Sequence, residues 1–142
     1  MNVKQALKQK NKLVTDLKTQ FEILKKYNSI EEGNPRRYSM TNTLTKAETL
    51  QLELVELKAK IHRANAPVYD KIFQLAELKG LIKELKKVPT DEGKQDSRYG
   101  SVVSVKEVEL SIVDIEAIVE KLQLQVEEIQ NELDIHNSNT QI

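Results

Sequence analysis

Four stretches of this chain repeat apolar residues at steps of three and four, with prolines and glycines between or beside them. That spacing places the repeated side chains on one stripe of an α-helix, because 3.6 residues complete a turn. Stripes of this kind leave water only by packing helix against helix, so the pattern restricts the fold to helical pairs or bundles. The first stripe is Val3, Leu7, Lys10, Val14, Leu17, Phe21 and Leu24. It predicts a helix over 3–27, about 38 Å long at 1.5 Å per residue. Lys10 is the one polar break, as a register-setting or rim residue would be.

A second helix is predicted over 45–64. Thr45 and Glu48 have the spacing of a capping box, and Ala47, Leu50, Leu54, Leu57, Ile61 and Ala64 form the stripe. Pro67 pushes the preceding residue out of helical geometry, yet suits the first turn of a third helix over 67–88. Val68, Ile72, Leu75, Leu78, Ile82 and Leu85 line that helix. Gly80 inside it costs about 1 kcal/mol against Ala, for which close approach of another backbone is one reason. Residues 28–43 read as a polar loop and 89–100 as a mobile one. The period then changes: Val103 and Val105 alternate, then Val108, Leu110 and Ile112. Residues 101–113 are therefore extended, either as a poor hairpin turning at Lys106-Glu107 or as one bulged segment. Asp114 is a good N-cap for a fourth helix over 115–136. Ile115, Val119, Leu122, Val126, Ile129, Leu133 and His136 make its stripe, and Asn137 begins a frayed tail. The expected fold class is mainly α, in a single domain over 1–142. It is a four-helix bundle or paired antiparallel helical hairpins, with a small β element before the last helix.

Composition removes several classes. The absence of Cys excludes a disulfide framework, a thiolate zinc site and a cysteine nucleophile. Four Gly and no Gly-rich motif leave no fixed-turn glycines for a nucleotide-binding fold. Residues 1–5 lead into no apolar core of a secretory signal, and no apolar run approaches a membrane span. A cytoplasmic protein is the expectation. The formal net charge of zero hides an asymmetry. Residues 1–30 carry seven Lys against Asp16 and Glu22, whereas residues 107–142 carry nine acids against Lys121. Either the basic first helix meets phosphates, or the two ends neutralise each other within or between chains. The second is favoured, because a nucleic-acid binder keeps a basic surplus.

Motifs for chemistry are sparse. Asp134 and His136 stand two apart, so on a helix they point away from each other and do not form a metal pair. His136 reads as a solvated histidine at a helix C-terminus. Glu31/Glu32 and Glu127/Glu128 are adjacent acids with no apolar pocket to split their pKa values. Arg36-Arg37-Tyr38 and Arg98-Tyr99 join guanidinium to an aromatic ring in loops, a combination that binds phosphates or stacks on bases. Contacts that anchor the loops are the plainer reading. No catalytic, cofactor-binding or metal residue is assigned.

Several landmarks recur in order. Asn28-x-x-x-Glu32-Gly33-x-Pro35 follows the first helix and Ile61-x-x-x-Asn65 closes the second. Leu75-Ala76-Glu77, Arg98-Tyr99 and Asp114 come next, and the tail reads Asn137-x-x-Thr140-x-Ile142. In this order the chain resembles the septicolysin-like family, small helical bacterial proteins of unknown function. In that family Arg-Tyr is followed by Ser and the tail Asn by an aromatic; here Gly100 and Ser138 stand there. The family carries no catalytic residues to transfer. Its label implies a pore-forming toxin, and the sequence has no signal, no span and no strongly hydrophobic amphipathic stretch to serve one. The expected function is a non-enzymatic, self-associating interaction or scaffold protein, a homodimer without a small-molecule substrate, cofactor or membrane partner. The alternative is a nucleic-acid-associated accessory protein using the Lys-rich first helix.

Overall fold

The computed structural model describes residues 1–96 and 103–142. The chain is mainly α, with four helices and a two-stranded antiparallel sheet before the last one. The elements are α1 (Val3–Tyr27), α2 (Met40–Ala64), a 3-10 turn (Ala66–Val68) and α3 (Tyr69–Leu85). β1 (Gly93–Asp96), β2 (Val103–Lys106) and α4 (Ile112–Asn139) follow. The contacts divide the chain into two compact units. One comprises Met1–Val68 with Ile135–Ile142, the other Tyr69–Asp134.

In the first unit, α1 and α2 are an antiparallel pair of equal length, 25 residues each. Asn2 caps the start of α1: its side chain accepts from the Gln5 N–H, and Gln5 answers by accepting from the Asn2 N–H, both at 2.9 Å. Asn65 caps the end of α2. Both asparagines bond to the last turns of α4, which puts the start of α1 beside the end of α2. At the far end Asn28 closes α1 and Ser39 opens α2 by accepting from the Asn42 N–H.

The seam of α2 is the expected one, extended at its start by half-buried Met40 and buried Thr43. The seam of α1 is not. Val3, Lys10, Leu17 and Leu24 are buried or half-buried as expected, but the second column is Ala6, Leu13 and Gln20, ending in half-buried Tyr27. Val14 and Phe21 stay 45% and 44% exposed. The apolar arc of α1 is wider than one seam, and α2 covers the edge that contains Gln20 rather than the edge that contains Phe21.

In the second unit α3 runs antiparallel to α4. Lys71 near the start of α3 forms an ion pair with Glu132 near the end of α4. Ile82 near the end of α3 clusters with Ile115 and Val119 near the start of α4, with Leu85, Leu122 and Val126 packed against them. Each such aliphatic side chain contributes roughly 1.5–3 kcal/mol when fully buried. Both stripes are those expected from sequence. A Cβ at Gly80 would meet nothing within 4 Å, so no close backbone approach explains that glycine.

Element boundaries correct the expectation in several places. α2 starts at Met40, not Thr45. Thr45 lies within the helix, its hydroxyl donating to the Thr41 carbonyl at 3.0 Å. Residues 67–88 open with a 3-10 turn and their helix ends at Leu85. The loop expected over 89–100 contains β1, and Gly93 has φ +85°. β2 pairs with β1, from Gly93 opposite Lys106 to Asp96 opposite Val103, so there is no turn at Lys106-Glu107. The extended segment expected to reach residue 113 gives way to α4 at Ile112. Asp114 is the third helical residue of a capping box rather than the cap. Ser111 Oγ accepts from the Asp114 N–H at 3.1 Å, and the Asp114 carboxylate accepts from the Ser111 N–H at 3.0 Å. The helix continues three residues beyond 136, and the tail is bonded rather than frayed.

Candidate functional site

The loop residues singled out by sequence sit at the turn between α1 and α2. Gly33, at φ +88°, lets the chain reverse there. Arg36 donates from both guanidinium ends, to the Tyr27 carbonyl at 2.9 Å and the Asn28 carbonyl at 3.1 Å. These are last-turn carbonyls of α1, which lack helical partners, so Arg36 caps the helix and anchors the loop. Tyr38 packs on Tyr27 with ring centroids 5.0 Å apart and planes tilted by 49°. The Lys26 ammonium lies 5.2 Å from the Tyr27 centroid, within cation–π range. Arg37 is exposed. Arg98 and Tyr99 lie outside the described residues.

Two open grooves meet at Tyr38. One, of about 410 Å³, runs along α1 between Thr15, Lys18, Ile23, Lys26 and the Tyr27–Tyr38 pair. The other, of about 520 Å³, lies over the first turn of α2 and includes Arg37, Ser39 and Thr41. Lysine ammoniums, a guanidinium and an aromatic pair thus share one end of the α1–α2 hairpin. The second unit has a groove of about 410 Å³ where α3 ends and α4 begins. Leu85, Val88, Ile115 and Val119 line its apolar part, and Lys86, Glu116 and Glu120 supply charge.

His136 departs from the solvated histidine expected. It is half-buried, with Nε2 3.2 Å from Asn65 Oδ1 and Nδ1 3.1 Å from Thr140 Oγ1. An amide oxygen only accepts, so Nε2–H donates to Asn65 and Nδ1 accepts from the Thr140 hydroxyl. Around this relay the tail is tied to the start of the chain. The Val3 N–H donates to the Thr140 carbonyl and the Ile142 N–H to the Met1 carbonyl, both at 3.0 Å. Asn2 Nδ2 donates to the Ser138 carbonyl at 3.1 Å. The landmarks Asn28, Asn65 and Thr140 are therefore caps and ties; Asn28 suits a helix stop in the sequence as well.

Among the described residues, Glu56 has a carboxyl displaced from its ordinary value. The hydrogen bond and charge of Lys60, one turn on and 2.8 Å away, hold its carboxyl below the ordinary value of 4.5. That is surface helix chemistry. Among the described residues no group of three or more His, Asp or Glu side chains could hold a metal ion. Among them, too, no helix is long and apolar enough to cross a membrane. No family model, curated protein or solved structure matches the chain.

Proposed function

We propose that the protein is a non-enzymatic helical interaction protein that acts by associating with copies of itself. The observation that carries this reading is the apolar surface left on regular helices. Leu52, Phe73, Leu124 and Ile135 are 61–71% exposed, with Val14, Phe21 and Leu44 close to half exposed. Single exposed apolar side chains are ordinary, whereas repeated ones on packed helices mark association surfaces. Each helical pair buries one seam and leaves further apolar columns outward. The reading takes the protein to work in the cytoplasm and to belong with the septicolysin-like proteins, on the order of its loop landmarks. Sedimentation velocity across a hundredfold concentration range tests it. A concentration-dependent shift to a dimer is expected, and a monomer throughout refutes self-association.

A second reading has its own observation. Lys18, Lys26, Tyr27 and Tyr38 combine phosphate-binding charge with stacking rings at the hairpin end. Under it, the protein binds single-stranded nucleic acid there, with affinity that falls steeply as salt rises. Titration of a fluorescent oligonucleotide at two salt concentrations decides. Micromolar, salt-sensitive binding lost in Lys18→Ala/Lys26→Ala supports it, and no binding at low salt removes it.

A further inference from the structure

Each helical pair has two edges alongside its buried seam, and in both units the edges differ. In α1, Val14 and Phe21 immediately follow buried Leu13 and Gln20, and in α2, Leu44 immediately follows buried Thr43. Corresponding columns of an antiparallel helix pair fall on the same side. Val14, Phe21 and Leu44 therefore form one apolar edge, each 44–49% exposed. The other edge is polar and holds the groove lined by Gln9, Glu53, Glu56 and Lys60. In the second unit, Leu81 and Ile118 immediately precede buried Ile82 and Val119 and so share an edge. They are 48% and 36% exposed. The opposite columns there are Lys79 and Lys86 with Glu116 and Gln123.

Charge gives the α1 and α3 sides of the two apolar edges opposite signs, whereas Glu48 follows Leu44 by four residues on α2 and Lys121 follows Ile118 by three on α4. Lys18 and Lys25 stand three residues before and four after Phe21, on the same side of α1, and both are exposed. Glu77 and Glu84 stand four residues before and three after Leu81 on α3, also exposed. Glu84 makes an exposed contact with Lys87, at 3.3 Å. Resting on the self-association reading above, we infer that the Val14–Phe21–Leu44 edge of one copy docks on the Leu81–Ile118 edge of a second copy. The lysines flanking Phe21 then face the glutamates flanking Leu81. Apolar contact holds the copies, and the charges select the pairing. The contact joins unlike surfaces, one from each copy.

Charge reversal tests the docking. Lys18→Glu/Lys25→Glu and Glu77→Lys/Glu84→Lys are each expected to raise the dimer dissociation constant about tenfold or more. The chain carrying all four reversals should return to within about threefold of the unaltered protein. Circular dichroism checks that helicity is kept. A monomeric unaltered protein overturns both the self-association reading and this surface. A dimer indifferent to both double variants, or not restored by the fourfold variant, overturns this surface alone. If a double variant loses helicity, amine-to-carboxyl cross-linking of mixed light and heavy unaltered protein decides. Links between copies from Lys18 or Lys25 to Glu77 or Glu84 support the docking, and their absence where other inter-copy links form overturns it.

Discussion

His136 Nε2 donates to Asn65 Oδ1 across 3.2 Å, joining the last turns of α4 to the residue that ends α2. The ring is held on its other side by the Thr140 hydroxyl, so neither nitrogen is left to solvent. His136→Ala removes both bonds and leaves the Asn65 amide oxygen without that donor. A loss of about 1–3 kcal/mol is expected, measured as a lower denaturation midpoint. A midpoint unchanged within error would mean that water replaces the ring at no cost.

The caps rank the helix starts. Ser111→Ala and Ser39→Ala each remove a side-chain oxygen that accepts a first-turn N–H, and each should cost about 1 kcal/mol. Thr45→Ala should cost less than about 0.5 kcal/mol, because its hydroxyl only bonds back to a carbonyl inside α2. Urea unfolding of the three variants gives the order. Thr45→Ala as the most damaging of the three would restore a helix start at Thr45.

Glu56 sets a sign for acid behaviour. Its carboxyl is held below 4.5 by Lys60 in the folded helix, so the folded protein binds that proton less readily than the unfolded chain. The contribution is fully present above 4.5 and is lost as pH falls through the lowered value. Glu56→Gln should therefore melt below the unaltered protein at neutral pH, with the gap closing under acid conditions. A gap that widens in acid would contradict the assignment.

Gly80 lies in the interior of α3 with open space where a Cβ would sit, whereas Gly33 and Gly93 have φ of +88° and +85°. Gly80→Ala is expected to stabilise by roughly 0.5–1 kcal/mol. Gly33→Ala and Gly93→Ala should destabilise, because an L residue is strained at positive φ. Thermal melts of the three variants separate the cases, and a destabilised Gly80→Ala would point to a neighbour that this position must admit.

The stripes of α2, α3 and α4 were legible in the sequence because their apolar residues keep the three-and-four spacing along the whole helix, while Leu52, Phe73, Leu124 and Ile135 stand outside it. α1 was legible only in part. Ala6, Leu13 and Gln20 lie one position before Leu7, Val14 and Phe21, and hydropathy alone prefers Phe21 to Gln20. The position of α2 decides otherwise, and a single helix does not contain that information. The first turn of α2 was hidden by Thr41, Asn42, Thr43 and Thr45, which resemble loop residues. In place, Thr43 and Thr45 turn their hydroxyls onto carbonyls four residues back, at 2.8 and 3.0 Å. β1 reads Gly-Lys-Gln-Asp and has no apolar alternation to detect. At the candidate site, Arg36 and Tyr38 were visible as an arginine–tyrosine cluster. That Arg36 is turned onto backbone carbonyls required knowing where α1 stops.

The antiparallel bridge between Asn2 and Gln141 joins residues from opposite ends of the chain, while the helical pairs are built from neighbours in sequence. Closing a loop of that span carries the largest entropy cost in the fold, since the cost rises with the logarithm of loop length. The tail should therefore zip on after α1 and α2 have already met, adding a slow, non-local step to an otherwise fast topology. In hydrogen exchange the Val3 and Ile142 amides would then open together, at a lower free energy than the amides in the middle of α1.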